Sequence, residues 1–231
     1  MSVLDAILRP AMTSSTTIPV GHPLLRRARW LKRLHARLHA IGNASYERAV
    51  AARKRALFGT LRGVVVEMGA AAGANLEHFD RGIRYVAVEP NAFAHDFLCE
   101  RARALGLDAS LHVGAAERLP LADASADAVV CSLVLCTVND VAAALAEVRR
   151  VLKPRGVFAF IEHVAAPAGS GTRGLQRALR APWMLISDGC RPDRDTAGAI
   201  RAAGFSSVEI AHWEAPLPAI VRPHISGVAV R

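Results

Sequence analysis

Between Val64 and Val164 the chain switches repeatedly between short β-branched runs and longer helical patterns, and this alternation restricts the fold more than any other feature. VVVEM, RYVAVE, ASLHV, DAVVCSLV and GVFAFIEHV are apolar runs of strand length, while FAHDFLCERARAL and DVAAALAEVRRVL read as helices. Short apolar runs of this kind suit strands covered on both faces. Strands that alternate with helices specify a parallel sheet with helices on both sides, an α/β fold. The 52% hydrophobic content of the 231 residues suffices for one sizeable domain with an N-terminal extension. Ligands of such sheets bind outside the carboxyl ends of the strands. That edge should collect Glu67, Gly69, Glu89, Ala116, Cys131, Ser132 and Glu162.

The stretch VVVEMGAAAGAN, Val64 to Asn75, indicates what the edge is built to touch. Gly69 and Gly73 tolerate positive φ, and Ala70 to Ala72 project only methyls, so a ligand can approach the main chain closely. NLEHF, from Asn75, reads as the start of a helix whose amides and dipole face the turn. RYVAVEPN ends a second strand in Glu89, twenty positions beyond Gly69, where a carboxylate can accept both ribose hydroxyls of an adenosine. The turn is not G-x-G-x-x-G, and Glu67 would repel a pyrophosphate. The same acid can position the ammonium of a methionine moiety, which favours S-adenosylmethionine over NAD.

Composition narrows the classes further. No apolar run approaches the roughly 18 residues of a membrane span, and the N-terminus lacks a signal-peptide pattern, so a soluble cytoplasmic protein is expected. Cys99, Cys131, Cys136 and Cys190 show neither C-x-x-C pairing nor metal-ligand spacing, so reduced thiols and no metal are expected. Cys131 and Cys136 read as packing residues in or beside a buried strand, and Cys190 as a small apolar filler. The net charge of +9 invites nucleic-acid binding, yet much of it lies in RRARWLKRLHARLHA. There Leu24, Leu31, Leu34, Leu38 and Ile41 recur at helical spacing opposite Arg26, Arg29, Arg33 and Arg37. This basic amphipathic helix is expected to lie over the domain, with peripheral contact to anionic lipid as the alternative. No nucleic-acid partner is expected: CSLV follows the fourth strand where methylases of nucleic-acid amines carry an Asn-Pro-Pro-Tyr-like tetrapeptide. The excess of arginine over lysine suggests a GC-rich bacterial genome.

The remaining segments divide the chain. Residues 1–20, with MTSSTTIP, read as a mobile arm or flap, and helices follow at about 24–40 and 44–58, so that 1–60 forms a cap and 61–231 the main domain. After the joint PAGSGTRG, residues 169–194 are the natural substrate lid. SSVEIAHWEA and HISGVAV should close the sheet as a hairpin with an antiparallel edge. Trp183, Met184, Leu185 and Trp213 either line an apolar pocket or belong to the core.

EMGAAAGAN with VEPN, DAVVCSLVLCTV, EVRRVLKPRGVFAFIEHVAAP, WMLISDGC and VRPHISGVAV resemble class I S-adenosylmethionine-dependent methyltransferases, and more narrowly the methyltransferase-like-seven family of thiol S-methyltransferases. The likeness runs from about Tyr46 to the C-terminus. It implies a Rossmann-like seven-stranded sheet, mostly parallel with an antiparallel last strand. It also implies methyl transfer to a small-molecule thiol or dithiol, a xenobiotic or a secondary metabolite, with release of S-adenosyl-L-homocysteine. By the same resemblance Glu67, Gly69 and Gly73, with Ala71 and Asn75, line the methionine side, and Glu89, followed by Pro90, holds the ribose. Ala116 meets the adenine through its backbone, and Glu117, Cys131 and Ser132 complete the cofactor set. Ala115 stands where many relatives place an adenine-binding aspartate. Animal members begin with an apolar membrane anchor, which is not carried over to this sequence.

Methyl transfer from a sulfonium needs an in-line nucleophile, so positioning supplies most of the catalysis. A thiol with pKa near 8.5 is already a few per cent thiolate at neutral pH, and a weak base suffices. The candidates are His163, Asp188 and His224, each with a structural alternative: a hydrogen-bonded histidine, a loop organiser and a hairpin residue. His163 ranks first because the end of the fifth strand faces the cofactor's methyl. Competing readings are an N- or O-methyltransferase acting on a phospholipid amine or a phenol, a cofactor-binding protein without catalysis, and an NAD-dependent oxidoreductase. Oligomeric state is not legible in the sequence.

Overall fold

In the computed structural model residues 23–41 and 44–231 are described, and the arm expected at residues 1–20 lies outside them. One sheet contains β1 (Val64–Met68), β2 (Arg84–Val88), β3 (Asp108–His112), β4 (Ala126–Ser132), β5 (Leu152–His163), β6 (Ser207–Glu214) and β7 (Pro223–Val230). The strand order is 3-2-1-4-5-7-6. β1 to β5 run parallel, and β7 inserts antiparallel between β5 and β6. The expected hairpin therefore forms with its second strand inside the sheet and its first at the edge. The chain order reverses between β1 and β4, which opens a crevice at their carboxyl ends.

Seven α-helices accompany the sheet among the described residues: α1 (Pro23–Ile41), α2 (Ala44–Phe58), α3 (His95–Ala104), α4 (Val141–Val151), α5 (Gly171–Ala178), α6 (Arg180–Ile186) and α7 (Thr196–Ala202). Strand alternation sorts the core into two layers. Val66, Met68, Val129, Phe158 and Phe160 pack with Leu145 and Val148 of α4 and Ile200 of α7. Val65, Tyr85, Val130 and Ile161 pack on the other face with Phe58 of α2 and Leu98 of α3. Full burial of each such large side chain contributes about 1.5–3 kcal/mol. Glu67 shares the parity of Val65, so the pleat carries this acid into the second layer. Asp140 and Asp195 cap α4 and α7 by accepting from the Ala143 and Gly198 amides.

Two local expectations need correction. NLEHF makes only a single 3₁₀ turn, Leu76–His78, before Phe79 turns extended. Leu76 and Phe79 both enter the core, and a spacing of three places them on one side of a 3₁₀ turn. Among the described residues no α-helix therefore starts at Asn75 to face the glycine turn. The basic helix α1 also turns differently from its leucine pattern. His35 and Ala36 are buried, whereas Trp30 is 64%, Leu38 53% and Ile41 80% exposed. The helix docks through polar contacts at the sheet edge: Asn91 Nδ2 donates to the Lys32 carbonyl at 3.0 Å, and the Arg33 guanidinium lies 4.8 Å above Phe93. No helix of the described residues is long and apolar enough to cross a membrane.

Candidate functional site

The glycine turn after β1 is locked by its own backbone and by two acids. Gly69 has φ +68°, Ala71 +45° and Gly73 +79°, and the Gly69 amide donates to the Val88 carbonyl at 2.8 Å. A Cβ on Gly69 would stand 2.6 Å from Val134 Cγ2, and one on Gly73 2.6 Å from Leu76 Cδ1. Glu67 is 1% exposed and accepts from Asn75 Nδ2 at 2.6 Å and from Tyr85 Oη at 2.5 Å. Burial pushes its carboxyl up to about 7, against the pull of those two bonds and of the Lys54 ammonium. Glu67 thus organises the turn, and the atom left over is Asn75 Oδ1, buried without a hydrogen-bond partner among the described residues.

Glu89, just past β2, ties the second strand to the turn. Its Oε2 accepts from the Ala71 amide at 2.8 Å and its Oε1 from the Asn91 amide at 2.7 Å, and burial raises its pKa. Pro90 is exposed in the following bend. Ala116 is buried, and Glu117 accepts from the Asn139 amide at 2.8 Å, joining the loop after β3 to the one after β4. Cys131 is wholly buried and donates to Glu162, so its side chain is internal, while Ser132 is half-buried at the strand end. Glu162 Oε1 also accepts from the Val134 and Leu135 amides, which shapes the turn after β4. Its Oε2 is buried without a hydrogen-bond partner among the described residues, and burial raises the pKa.

A second cluster forms where β5 ends. The antiparallel ladder sets His163 beside His224 and His224 beside Trp213. The rings of His163 and His224 are 6.1 Å apart, and those of His224 and Trp213 4.7 Å. His224 Nδ1 lies 3.0 Å from the Arg222 carbonyl and so carries the proton, leaving Nε2 to accept from Tyr46 Oη at 3.3 Å. Burial lowers the His224 pKa to about 4, which makes it a neutral and weak base. His163 Nε2 lies 2.9 Å from Cys190 Sγ, to which Trp183 Nε1 donates at 3.1 Å. Cys136 joins the same corner: its hydrogen bond to Cys190, with those from His163 and Trp183, lowers the Cys190 thiol pKa against burial. The Cys136 thiol is pushed up in turn.

Asp188 stands apart from that cluster. It has φ +54° and a side chain 53% exposed, and its carboxylate faces His35 Nδ1 at 3.6 Å. It is therefore a clasp between the lid and α1. The expected lid segment contains α5 and α6 and is tied down at both ends. Gln176, wholly buried, donates to the Val164 and Ile220 carbonyls and accepts from the Ala166 amide. Arg194 donates to the Leu135 and Val138 carbonyls.

Several of these residues escaped sequence reasoning. Cys136 and Cys190 were expected to be fillers and instead meet His163. Lys54 is buried and paired with Glu47 at 2.6 Å, yet it occupies the apolar stripe Tyr46, Val50, Phe58 of α2, an anomaly visible in the spacing. Tyr85 carried no signal beyond strand propensity.

A positive-φ turn after the first strand, an acid after the second and a crevice at the chain reversal form an adenosyl-cofactor site. With β7 inserted antiparallel between β5 and β6, the sheet is that of a class I S-adenosylmethionine-dependent methyltransferase. The buried Asn75 Oδ1 acceptor and the positive-φ backbone of Gly69, Ala71 and Gly73 fit that cofactor. Residues 66–160 match the methyltransferase domain family. The chain is 36% identical over 198 residues to human thiol S-methyltransferase TMT1A, covering 80% of this chain and 81% of that protein. It is 35% identical over 206 residues to human TMT1B, covering 84% of each. Among solved structures the cyclase SpnF superposes with a TM-score of 0.65 at 18% identity over 80% of each chain, a likeness of fold alone. The chain belongs to the thiol S-methyltransferase family, and its cofactor is S-adenosyl-L-methionine.

Proposed function

We propose that the chain transfers the methyl group of S-adenosyl-L-methionine to the sulfur of a small-molecule thiol or dithiol held at the ends of β5 and β7. The observation that carries this reading is the contact of His163 Nε2 with Cys190 Sγ at 2.9 Å. This corner already accommodates sulfur against imidazole, with Trp183 and Trp213 as apolar walls. β5 lies two strands from β1, about 10 Å by strand spacing, which suits a cofactor anchored at the glycine turn with its methyl directed at His163.

In this reading Asn75 Oδ1 accepts from the methionine ammonium, with Glu67 supplying the compensating charge behind it. Gly69, Ala71 and Gly73 give the main chain close approach. Glu89 keeps lone pairs free for the ribose hydroxyls beyond its two amide bonds, and Pro90 borders it. The loop of Ala116 and Glu117 flanks the adenine, and Ser132 lies between cofactor and acceptor. His163, held through Nε2 against Cys190, borders the acceptor position, and neutral His224 packs beside it across the ladder. The thiolate attacks the methyl in line, so the chain's main contribution is to hold the two sulfurs collinear with that carbon. Silencing a reactive thiol, foreign or self-made, is the biological use this chemistry supports.

Mass spectrometry of products from a panel of aliphatic thiols, aromatic thiols, dithiols, phenols and phosphatidylethanolamine tests the reading. Methylthioethers are expected, and methylated amine or phenol with untouched thiols overturns it. A second observation bears on location. Trp30, Leu34, Leu38 and Ile41 form an exposed apolar stripe on α1 beside exposed Arg33 and Arg37, and Leu185 and Ile186 are exposed on α6. This supports peripheral contact of a cytoplasmic protein with an anionic membrane surface. Sedimentation with anionic but not neutral vesicles, abolished in Leu34→Glu/Leu38→Glu, is the expected result.

A further inference from the structure

We propose that Cys136, His163 and Cys190 bind one zinc-class cation whose remaining position takes the acceptor thiolate. The inference deepens the thiol-methylation reading and rests on it for the fourth ligand only. One ligand atom from each residue lies within 4.8 Å of the others, and all three residues are buried. They come from three separate segments: the turn after β4, the end of β5 and the loop after α6. Their relative placement is fixed before any ligand arrives. The Arg191 amide donates to the Cys136 carbonyl at 2.9 Å, Arg194 grips Leu135 and Val138, and the β5–β7 ladder holds His163.

The donor set selects the ion. Two sulfurs and one imidazole nitrogen suit a soft or borderline cation, whereas magnesium and calcium require oxygen ligands. Three protein ligands with an open fourth position is the arrangement of reactive rather than structural zinc. Zinc–sulfur bonds of about 2.3 Å and zinc–nitrogen bonds of about 2.0 Å in tetrahedral geometry separate sulfur from nitrogen by about 3.5 Å. The 2.9 Å contact of His163 with Cys190 therefore has to open by about 0.6 Å, within reach of small χ adjustments. His163 Nδ1 is buried without a hydrogen-bond partner among the described residues, so the side-chain hydrogen bond on the imidazole is the Cys190 contact at Nε2, itself one of the ligand pairs. The Arg194 cation lies near both cysteines and offsets the charge of a third thiolate.

The chemistry balances without a redox step. A thiol enters the open position and loses its proton to solvent, and the cation holds the sulfur as thiolate. A sulfur electron pair then forms the bond to the methyl carbon. The carbon–sulfur bond of the cofactor breaks, and S-adenosyl-L-homocysteine keeps that pair. The product thioether is neutral and a weaker ligand than the thiolate it replaces, so methylation itself promotes release.

The test titrates the reduced full-length protein with zinc and with cobalt(II), reading bound metal by mass spectrometry and cobalt by its absorption. One ion per chain is expected, with a sulfur-to-cobalt charge-transfer band that weakens in Cys190→Ser and in Cys136→Ser and is lost in the double variant. Cys99→Ser, on the exposed face of α3, should keep both. Adding a thiol should change the cobalt spectrum before any cofactor is present. Cobalt bound without the charge-transfer band, binding that survives both cysteine substitutions, or full thiol methylation by chelator-stripped protein overturns the proposal. Stripped protein that still methylates thiols retires the metal but keeps the thiol reading. Metal bound as expected, with no thiol methylated, does the reverse.

Discussion

Glu67→Gln isolates the buried acid behind the glycine turn. The carboxyl is 1% exposed, and burial carries it from 4.5 to about 7 despite bonds from Asn75 and Tyr85. The folded chain thus binds this proton more tightly than the unfolded chain does. The resulting stabilisation is fully present below about 4.5, declines as pH rises and is lost beyond about 7. That separation is worth about 3 kcal/mol. Glutamine keeps an oxygen acceptor and cannot ionise, so the variant lacks this dependence, with about 1 kcal/mol of offset from its altered hydrogen bonds. Urea unfolding of both proteins between about pH 4.5 and pH 8 gives two stability curves whose difference cancels every other titrating group. The wild type should lose about 3 kcal/mol relative to the variant across this window. In the same window cofactor affinity should rise with pH in the wild type alone, because a methionine ammonium favours the ionised acid. Parallel stability curves would show that Glu67 titrates like an exposed carboxyl and would refute the argument.

Gly69→Ala places a methyl at φ +68° and 2.6 Å from Val134, so a loss of roughly 2–4 kcal/mol and of measurable cofactor binding by calorimetry is expected. Arg150 donates to the Leu119 and Leu121 carbonyls, Asp123 and Glu147, and Glu147 accepts the Leu119 amide, so this residue fastens the loop of Ala116 and Glu117 to α4. Arg150→Ala should lower stability by about 2–3 kcal/mol and raise KM for the cofactor more than it lowers kcat; an unchanged KM would place the adenine elsewhere. Asp188→Asn should keep kcat within about two-fold while loosening α1 in proteolysis, since loss of a true general base costs about 100-fold or more.

The order of strands and helices, the glycine turn and the acids at Glu67 and Glu89 were legible because each depends on residues close in the chain. Hydrophobic period, β-branched propensity and tolerance of positive φ are local properties, and they survive when only the string of residues is known. The resemblance of motifs carried the reaction class, and His163 was placed correctly at a strand end. The helix at NLEHF failed because core insertion of Leu76 and Phe79 outweighed local propensity, and the inward face of α1 failed because polar contacts at Asn91 and Asp188 set its rotation.

What only the tertiary structure decided is which distant residues share a corner. Cys136 and Cys190 lie far apart along the chain in segments with no pairing signal, and they meet because the lid returns to the turn after β4. His224 reaches His163 through the register of an antiparallel strand inserted between β5 and β6, and a one-residue slip would turn it to the other face. Spacing in sequence specifies which face of an element a side chain occupies. The closing of long loops and the pairing of strands specify its neighbours, and the chemistry at sulfur depends on those neighbours.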